Sequence, residues 1–250
     1  MKVLVLGGTT EASALARLLA GEGRFRAVLS YAGRTRNPAA QPVETRIGGF
    51  GGAAGLADYL RGNGVRALID ATHPFAARIS AHAAGAARDA GVPLLALRRG
   101  GWTAGPGDEW HRVPDMAAAA DAIGIARRRV FLTVGQKEVA AFRDRPRHAY
   151  LIRSVDPIDA ALLPPEAVLI NARGPFDVAA ERALLDEHGI DVIVTKNSGG
   201  TATAAKLAAA RDLGLPVIMV ERPPVPDVET VETAEAALAW LRHQAILLGV

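Results

Sequence analysis

The chain has 250 residues, with 29 Lys+Arg against 26 Asp+Glu and a formal net charge of +3. Half of its residues are hydrophobic and none is cysteine, which excludes intrinsic disorder, a disulfide scaffold, thiolate-ligated metals and a thiol nucleophile. Its apolar runs fall far short of the about 20 residues that a membrane span needs, and no secretory signal is visible, so a cytoplasmic protein with no membrane partner is expected. The sequence pI is near 9.6, a value that also fits nucleic-acid binders. The arginines are scattered, however, and the tight run Arg127, Arg128, Arg129 has no aromatic residues within it. Small anionic ligands explain that distribution better, and no nucleic-acid partner is expected.

In chain order, short β-branched runs alternate with Ala/Leu-rich helical stretches. Residues 2–7 (KVLVLG) read as a buried strand, and 11–20 as a helix closed by Gly21 and Gly23. Strands follow at 25–31 and 43–47, then a helix at 54–61 stopped by the GNG turn at 62–64. A strand at 65–71, a helix at 76–90 closed by Gly91 and a strand at 93–97 complete this half. The pattern then restarts, with strands at 129–134, 148–154, 167–172, 190–195 and 216–221 and helices at 136–142, 178–188, 201–213 and 233–243. This alternation predicts an α/β protein of two Rossmann-like lobes with mostly parallel sheets and a ligand cleft between them. The expected boundaries are a dinucleotide-binding lobe at 1–100, a Gly/Pro/Trp-rich connection at 101–128 and a substrate lobe at 129–250.

The first motif is GGTTEA at 7–12, directly after the first strand. Gly7 and Gly8 permit a sharp turn and close approach of backbone to a phosphate. Thr9 and Thr10 offer hydroxyls, and the helix opening near Glu11 offers free N–H groups and a partial positive charge. The third glycine of the usual dinucleotide fingerprint is replaced by Ala12 or Ser13. After the second strand come Ser30, Gly33, Arg34 and Arg36, with no acidic residue between Arg24 and Gln41. An acidic residue about 20 residues past the glycine turn holds the ribose of NAD, whereas arginine accommodates the 2′-phosphate of NADP, so NADPH is expected.

DATHPFA at 70–76 follows the strand at 65–71, and strand ends in such sheets border the ligand crevice. Thr72 is a candidate cofactor contact, and His73 a candidate general acid. In the second half, Lys137, Arg173 and Lys196 each lie just past a strand. They point to a multiply anionic substrate. Asn197, Ser198, Gly199, Gly200 and Thr201 form a candidate anion nest before a helix. No metal-binding or serine-hydrolase motif is present, and the six histidines show no ligand-like pairing.

GGTTEA at 7–12, GRTR at 33–36, ATHPFA at 71–76, GQKE at 135–138, RGPF at 173–176 and TKNSGG at 195–200, in this order, resemble the precorrin-6A reductase family of cobalamin biosynthesis over nearly the whole chain. The resemblance implies NADPH-dependent reduction of one double bond of the macrocycle precorrin-6A to give precorrin-6B. Its substrate is an anionic tetrapyrrole bearing acetate and propionate groups, and a related branch acts on cobalt-precorrin-6A. On this reading the pyrophosphate sits at Gly7–Glu11 and the 2′-phosphate near Arg34 and Arg36. Lys137, Arg173, Lys196 and the Asn197–Thr201 nest hold the macrocycle, and the proton comes from His73, Lys137 or solvent. A short-chain-type reductase would need a Tyr-x-x-x-Lys pair, and none of Tyr31, Tyr59 and Tyr150 has Lys four positions on. A non-catalytic NADP-sensing module is the other alternative. The oligomeric state is left open, a monomer included.

Overall fold

The computed structural model describes residues 1–33 and 40–249. The chain divides into two compact units, one of Met1–Gly100 with Pro224–Val250 and one of Gly101–Pro223. The first begins with β1 (Lys2–Leu6), α1 (Thr10–Ala20), β2 (Arg26–Tyr31), β3 (Glu44–Ile47), α2 (Gly52–Gly62), β4 (Ala67–Asp70), α3 (Ala77–Ala90) and β5 (Leu94–Leu97). The second contains β6 (Trp110–Val113), α4 (Met116–Ala122), β7 (Arg129–Thr133), β8 (Ala149–Ser154), β9 (Ala167–Asn171), α5 (Val178–Glu187), β10 (Val192–Lys196), α6 (Ala205–Leu213) and β11 (Val217–Val220). The chain then returns to the first unit with β12 (Thr230–Val231) and α7 (Ala234–Leu247).

Each unit holds a six-stranded sheet, ordered β12-β5-β4-β1-β2-β3 in the first and β6-β11-β10-β7-β8-β9 in the second. Every pairing in both is parallel. Parallel sheets carry helices on both faces, so their central strands read as unbroken apolar runs. Accordingly Val3, Leu4, Val130, Phe131, Leu132, Ile193 and Val194 are wholly or almost wholly buried. Helix α1 shows the local logic: the Thr9 hydroxyl accepts the Ala12 N–H at 3.1 Å, and Ala12, Leu15, Ala16 and Leu19 form its buried stripe. Helices α3 and α6 end on Gly91 and Gly214, both in the left-handed region at φ +64° and +63°.

The chain reverses its direction of winding between β1 and β4 and again between β7 and β10. At such a switch point the loops leaving the two strand ends diverge, which opens a crevice for ligands. The turns after β1, β4, β7 and β10 border these crevices.

The observed organisation differs from the sequence expectation in three places. Residues 101–128 are not a bare connection, since β6 pairs with β11, matching Trp110 to Val217, and α4 follows it. The C-terminal stretch does not belong with 129–223: β12 pairs with β5, matching Thr230 to Ala96. Helix α7 buries Ala237 and Leu241 in the same cluster as Leu15, Leu19 and Val3. An amphipathic pattern identifies a helix but not the sheet that covers it. Lastly, the helix expected at 136–142 is only a 3₁₀ turn over Val139–Phe142, and the one expected at 201–213 begins at Ala205.

Leu241→Ala is expected to destabilise the first unit by about 2–5 kcal/mol. Hydrogen exchange should show lost amide protection in β1, β4 and β5, with β7 and β10 unchanged. Loss of protection confined to the second unit would contradict the assignment of α7.

Candidate functional site

At the end of β1 the Gly7 N–H donates to the Ser30 carbonyl at 2.9 Å, and a Cβ at Gly7 would lie 2.7 Å from Leu29 Cδ1. Gly8 has φ +128°, and nothing lies within 4 Å of the place its Cβ would take. A side chain is thus excluded at the first position by packing and at the second by conformation, which leaves bare backbone. Thr9 caps α1 and also donates to the Ala71 carbonyl at 2.9 Å, tying this turn to the end of β4. The expected third glycine is Ala12, which is wholly buried in the unit's core rather than near the turn surface. Thr10 is exposed, and Glu11 is paired with Arg99 at 2.6 Å. That pairing neutralises a carboxylate that would otherwise repel an anion at the helix N-terminus.

The end of β4 is polar and tightly bonded. Asp70 is buried, accepts the Thr72 N–H and hydroxyl at 3.2 and 2.6 Å, and faces Arg98 at 3.5 Å. The Thr72 hydroxyl hydrogen is therefore committed to Asp70, and its oxygen remains an acceptor. His73 Nδ1 accepts the Phe75 N–H at 3.2 Å, which puts the proton of the neutral ring on Nε2.

Ser30 is buried at the end of β2, and its hydroxyl accepts from Arg46 at 3.0 Å. Arg46 is a residue that the sequence reading passed over. It lies on β3 opposite Ser30, donates to the Gly48 and Gly49 carbonyls at 2.7 and 2.8 Å, and stacks 3.7 Å from the Phe50 ring centroid. Only strand pairing brings it to the β2 end, since it is distant in sequence from the glycine turn. Gly33 adopts φ +75°. Arg34 and Arg36 lie outside the described residues.

In the second unit, Lys196 closes β10 and pairs with Glu138 at 3.0 Å. Glu138 folds over Gly135, where a Cβ would collide with its carboxylate. The GQKE turn thus supplies a counter-ion for Lys196, whereas Lys137 and Arg173 are exposed and make no ion pair among the described residues. Asn197 is buried, and its side-chain amide is bonded to Trp102: Oδ1 accepts the backbone N–H at 2.7 Å and Nδ2 donates to the carbonyl at 3.1 Å. Its visible job is to hold the 197–201 turn against residue 102. The Ser198 N–H donates back to the Lys196 carbonyl at 2.7 Å, and Gly199 and Gly200 adopt φ +66° and +83°. Both glycines thus stand in conformations that a side chain disfavours, which leaves the backbone of the turn bare. Thr201 is exposed at its lip. The RGPF loop packs against this turn, with the Phe176 N–H donating to the Ala202 carbonyl at 3.2 Å.

Beneath the turn lies a buried charged cluster that hydropathy patterning cannot detect. Arg153, at the end of β8, forms a bidentate pair with Glu181 of α5, one arm at 2.9 Å, and stacks 3.7 Å from the Phe176 ring centroid. Lys206, in the first turn of α6, is 3% exposed and donates to the Thr203 carbonyl at 2.6 Å. Burial, with Arg153 beside it, pushes its ammonium down to about 7, only partly offset by Glu181. Among the described residues no group of His, Asp and Glu is arranged to hold a metal ion, and no helix is long and apolar enough to cross a membrane.

Residues 2–242 match the family model described as "Precorrin-6x reductase CbiJ/CobK". The chain is 52% identical to the "Precorrin-6A reductase" of Rhodobacter capsulatus, over 100% of this chain and 99% of that protein. It is 30% identical to the "Cobalt-precorrin-6A reductase" of Priestia megaterium, over 97% of this chain and 98% of that protein. The solved structure titled "CobK precorrin-6A reductase" superposes with a TM-score of 0.92 at 52% identity, covering 98% of this chain and 97% of that one.

Glu181→Ala leaves Arg153 and Lys206 without their buried carboxylate and is expected to cost about 3–5 kcal/mol in urea unfolding. Arg153→Met combined with Glu181→Leu is expected to cost much less, because no uncompensated partner remains. Equal losses would show that the pair does not carry the effect.

Proposed function

The chain belongs to the precorrin-6x reductase family and is an oxidoreductase of cobalamin biosynthesis, and on that premise we propose that it reduces one double bond of precorrin-6A with NADPH to give precorrin-6B. The observation that carries the cofactor half is the bare backbone at Gly8, set at a switch point before an N-capped helix. A diphosphate fits there, because no side chain obstructs it and the helix N-terminus favours negative charge. Gly7, Gly8, Thr9, Thr10 and Glu11 would line the diphosphate, with Thr72 and Ser30 beside them. Gly33, Arg34 and Arg36 would hold the 2′-phosphate, and Arg46 at the end of β3 supports the same assignment. When bound, the nicotinamide supplies the hydride.

The macrocycle's carboxylates would be received by Arg173, Lys196 and the turn of Asn197, Ser198, Gly199, Gly200 and Thr201. Lys196 keeps its charge matched by Glu138 until a substrate carboxylate competes for it. The proton would come from the imidazolium form of His73, from the exposed Lys137 or from solvent; a neutral His73, with its proton on Nε2, can only donate a hydrogen bond to the macrocycle. The higher identity to a precorrin-6A reductase, 52% against 30% for a cobalt-precorrin-6A reductase, favours the cobalt-free macrocycle. An anaerobic assay of both macrocycles with NADPH and NADH tests the reading. NADPH oxidation that depends on precorrin-6A supports it, and tight NADPH binding without turnover on either macrocycle would favour a sensing module.

Arg34→Ala is expected to raise the KM for NADPH by about 10–100-fold, the loss of a charge-assisted hydrogen bond, with a much smaller effect on NADH. Equal losses with both cofactors would sink the 2′-phosphate assignment. Lys196→Gln should raise the KM for the macrocycle by a similar factor and leave that for NADPH unchanged.

A further inference from the structure

Buried cations outnumber the buried anion under the 198–203 turn. Arg153 and Lys206 face Glu181, so the cluster carries an unmatched positive charge whenever Lys206 is protonated. The groups around the Lys206 ammonium are Arg153 from β8, Glu181 from α5, the Trp102 ring at 4.8 Å and the Thr203 carbonyl at 2.6 Å. Trp102 in turn donates its indole N–H to the Gly200 carbonyl at 2.9 Å. Lys206 thus grips the turn at Thr203 directly and braces the tryptophan that grips it at Gly200. In a trans peptide the C=O and the following N–H point in opposite directions. Drawing the Gly200 carbonyl toward Trp102 therefore turns the Thr201 N–H away from the indole, toward the side where an anion would sit.

We propose that Lys206 is a positioning residue for the anionic substrate: its ammonium holds the 200–203 turn in its anion-receiving form and supplies positive charge beneath it, so that substrate binding is coupled to proton uptake at Lys206. This rests on the reading that the carboxylated macrocycle binds at this turn. Lys206 is too buried to touch the substrate and acts through Thr203, Trp102 and its field. The sign follows from linkage. An anion above the turn favours the protonated lysine and raises its pKa on binding. Below the free-enzyme pKa, which lies at about 7, the lysine is already charged and the KM is flat. Above it a proton must be taken up with the substrate, and the KM rises by up to about tenfold per pH unit until the bound-state pKa is reached.

The test is steady-state kinetics of wild type, Lys206→Met and Lys206→Arg with precorrin-6A and NADPH between about pH 6 and about pH 9. A parallel NMR titration of the Lys206 Cε signal, identified by its loss in Lys206→Met, reads the charge without turnover. The wild-type KM should climb above neutrality while kcat changes by less than about threefold. Lys206→Arg, charged throughout, should keep a low KM without that climb, and Lys206→Met should show a high KM that is flat with pH. A purely structural lysine would lower stability without moving the pH profile. If Lys206→Met does not fold, the contrast between arginine and wild type decides. A wild-type profile that is flat while the Cε signal titrates, or a Lys206→Arg profile equal to wild type, overturns the proposal. Lys196→Gln separates the two layers. If it raises the KM while the Lys206 variants do not, only the lysine coupling fails. If neither variant moves the KM, the binding site itself is wrong and the coupling falls with it.

Discussion

A parallel strand cannot be joined to its neighbour by a hairpin, so each strand of both sheets must be reached by a crossover of chain, mostly a helix packed on a face. Two consequences follow. The strands are covered on both sides, which is why residues 3–6 of β1 and 130–132 of β7 are apolar and buried. All strands of a sheet also end at the same edge, so polar side chains that would be costly inside the sheet gather at its carboxyl end. Where winding reverses, between β1 and β4 and between β7 and β10, two such ends diverge. The Gly7–Thr9 turn and the Asp70–His73 segment occupy one of these places. The GQKE turn and the Lys196–Gly200 turn occupy the other.

Charge at these strand ends is largely matched within each unit. Arg98 faces Asp70, Arg99 faces Glu11, Arg153 faces Glu181 and Lys196 faces Glu138. At these strand ends a cation is held in place by a carboxylate, whereas Lys137 and Arg173 are exposed and make no ion pair among the described residues. Lys206 stands apart: burial, with Arg153 beside it, lowers its proton affinity, and the Glu181 that it shares with Arg153 offsets this only in part. The proton affinity of such a buried group is set by its packing, so the environment of α6 decides the charge beneath the turn.

Much of the local structure is legible in the residues. The glycine turn after a buried strand, the threonine cap, the glycine helix stops and the restart of the alternation all act through backbone geometry over a few positions, and the β-α order in both units matches them. Less was legible in the site. Asn197 has the right type for a ligand contact, yet its amide is bonded to the backbone of a residue nearly a hundred positions away. Arg46 and Arg153 sit on strands, in runs that carry no motif, and gain their places only from β3 pairing with β2 and from α5 packing over β8. Lys206 looks like an ordinary helical lysine until its burial is known.

The sequence by itself determined the α/β class, the parallel sheets, the glycine turn and the family to which the chain belongs, because these depend on local backbone preference, hydrophobic period and motif order. Only the tertiary structure decided that the last helix and strand return to the first unit and that residues 110–113 supply the edge of the second sheet. It also decided which cations are paired, and which one is buried beside an arginine. Those outcomes turn on which surfaces meet, and a residue's partners across a fold are written in no stretch of sequence around it.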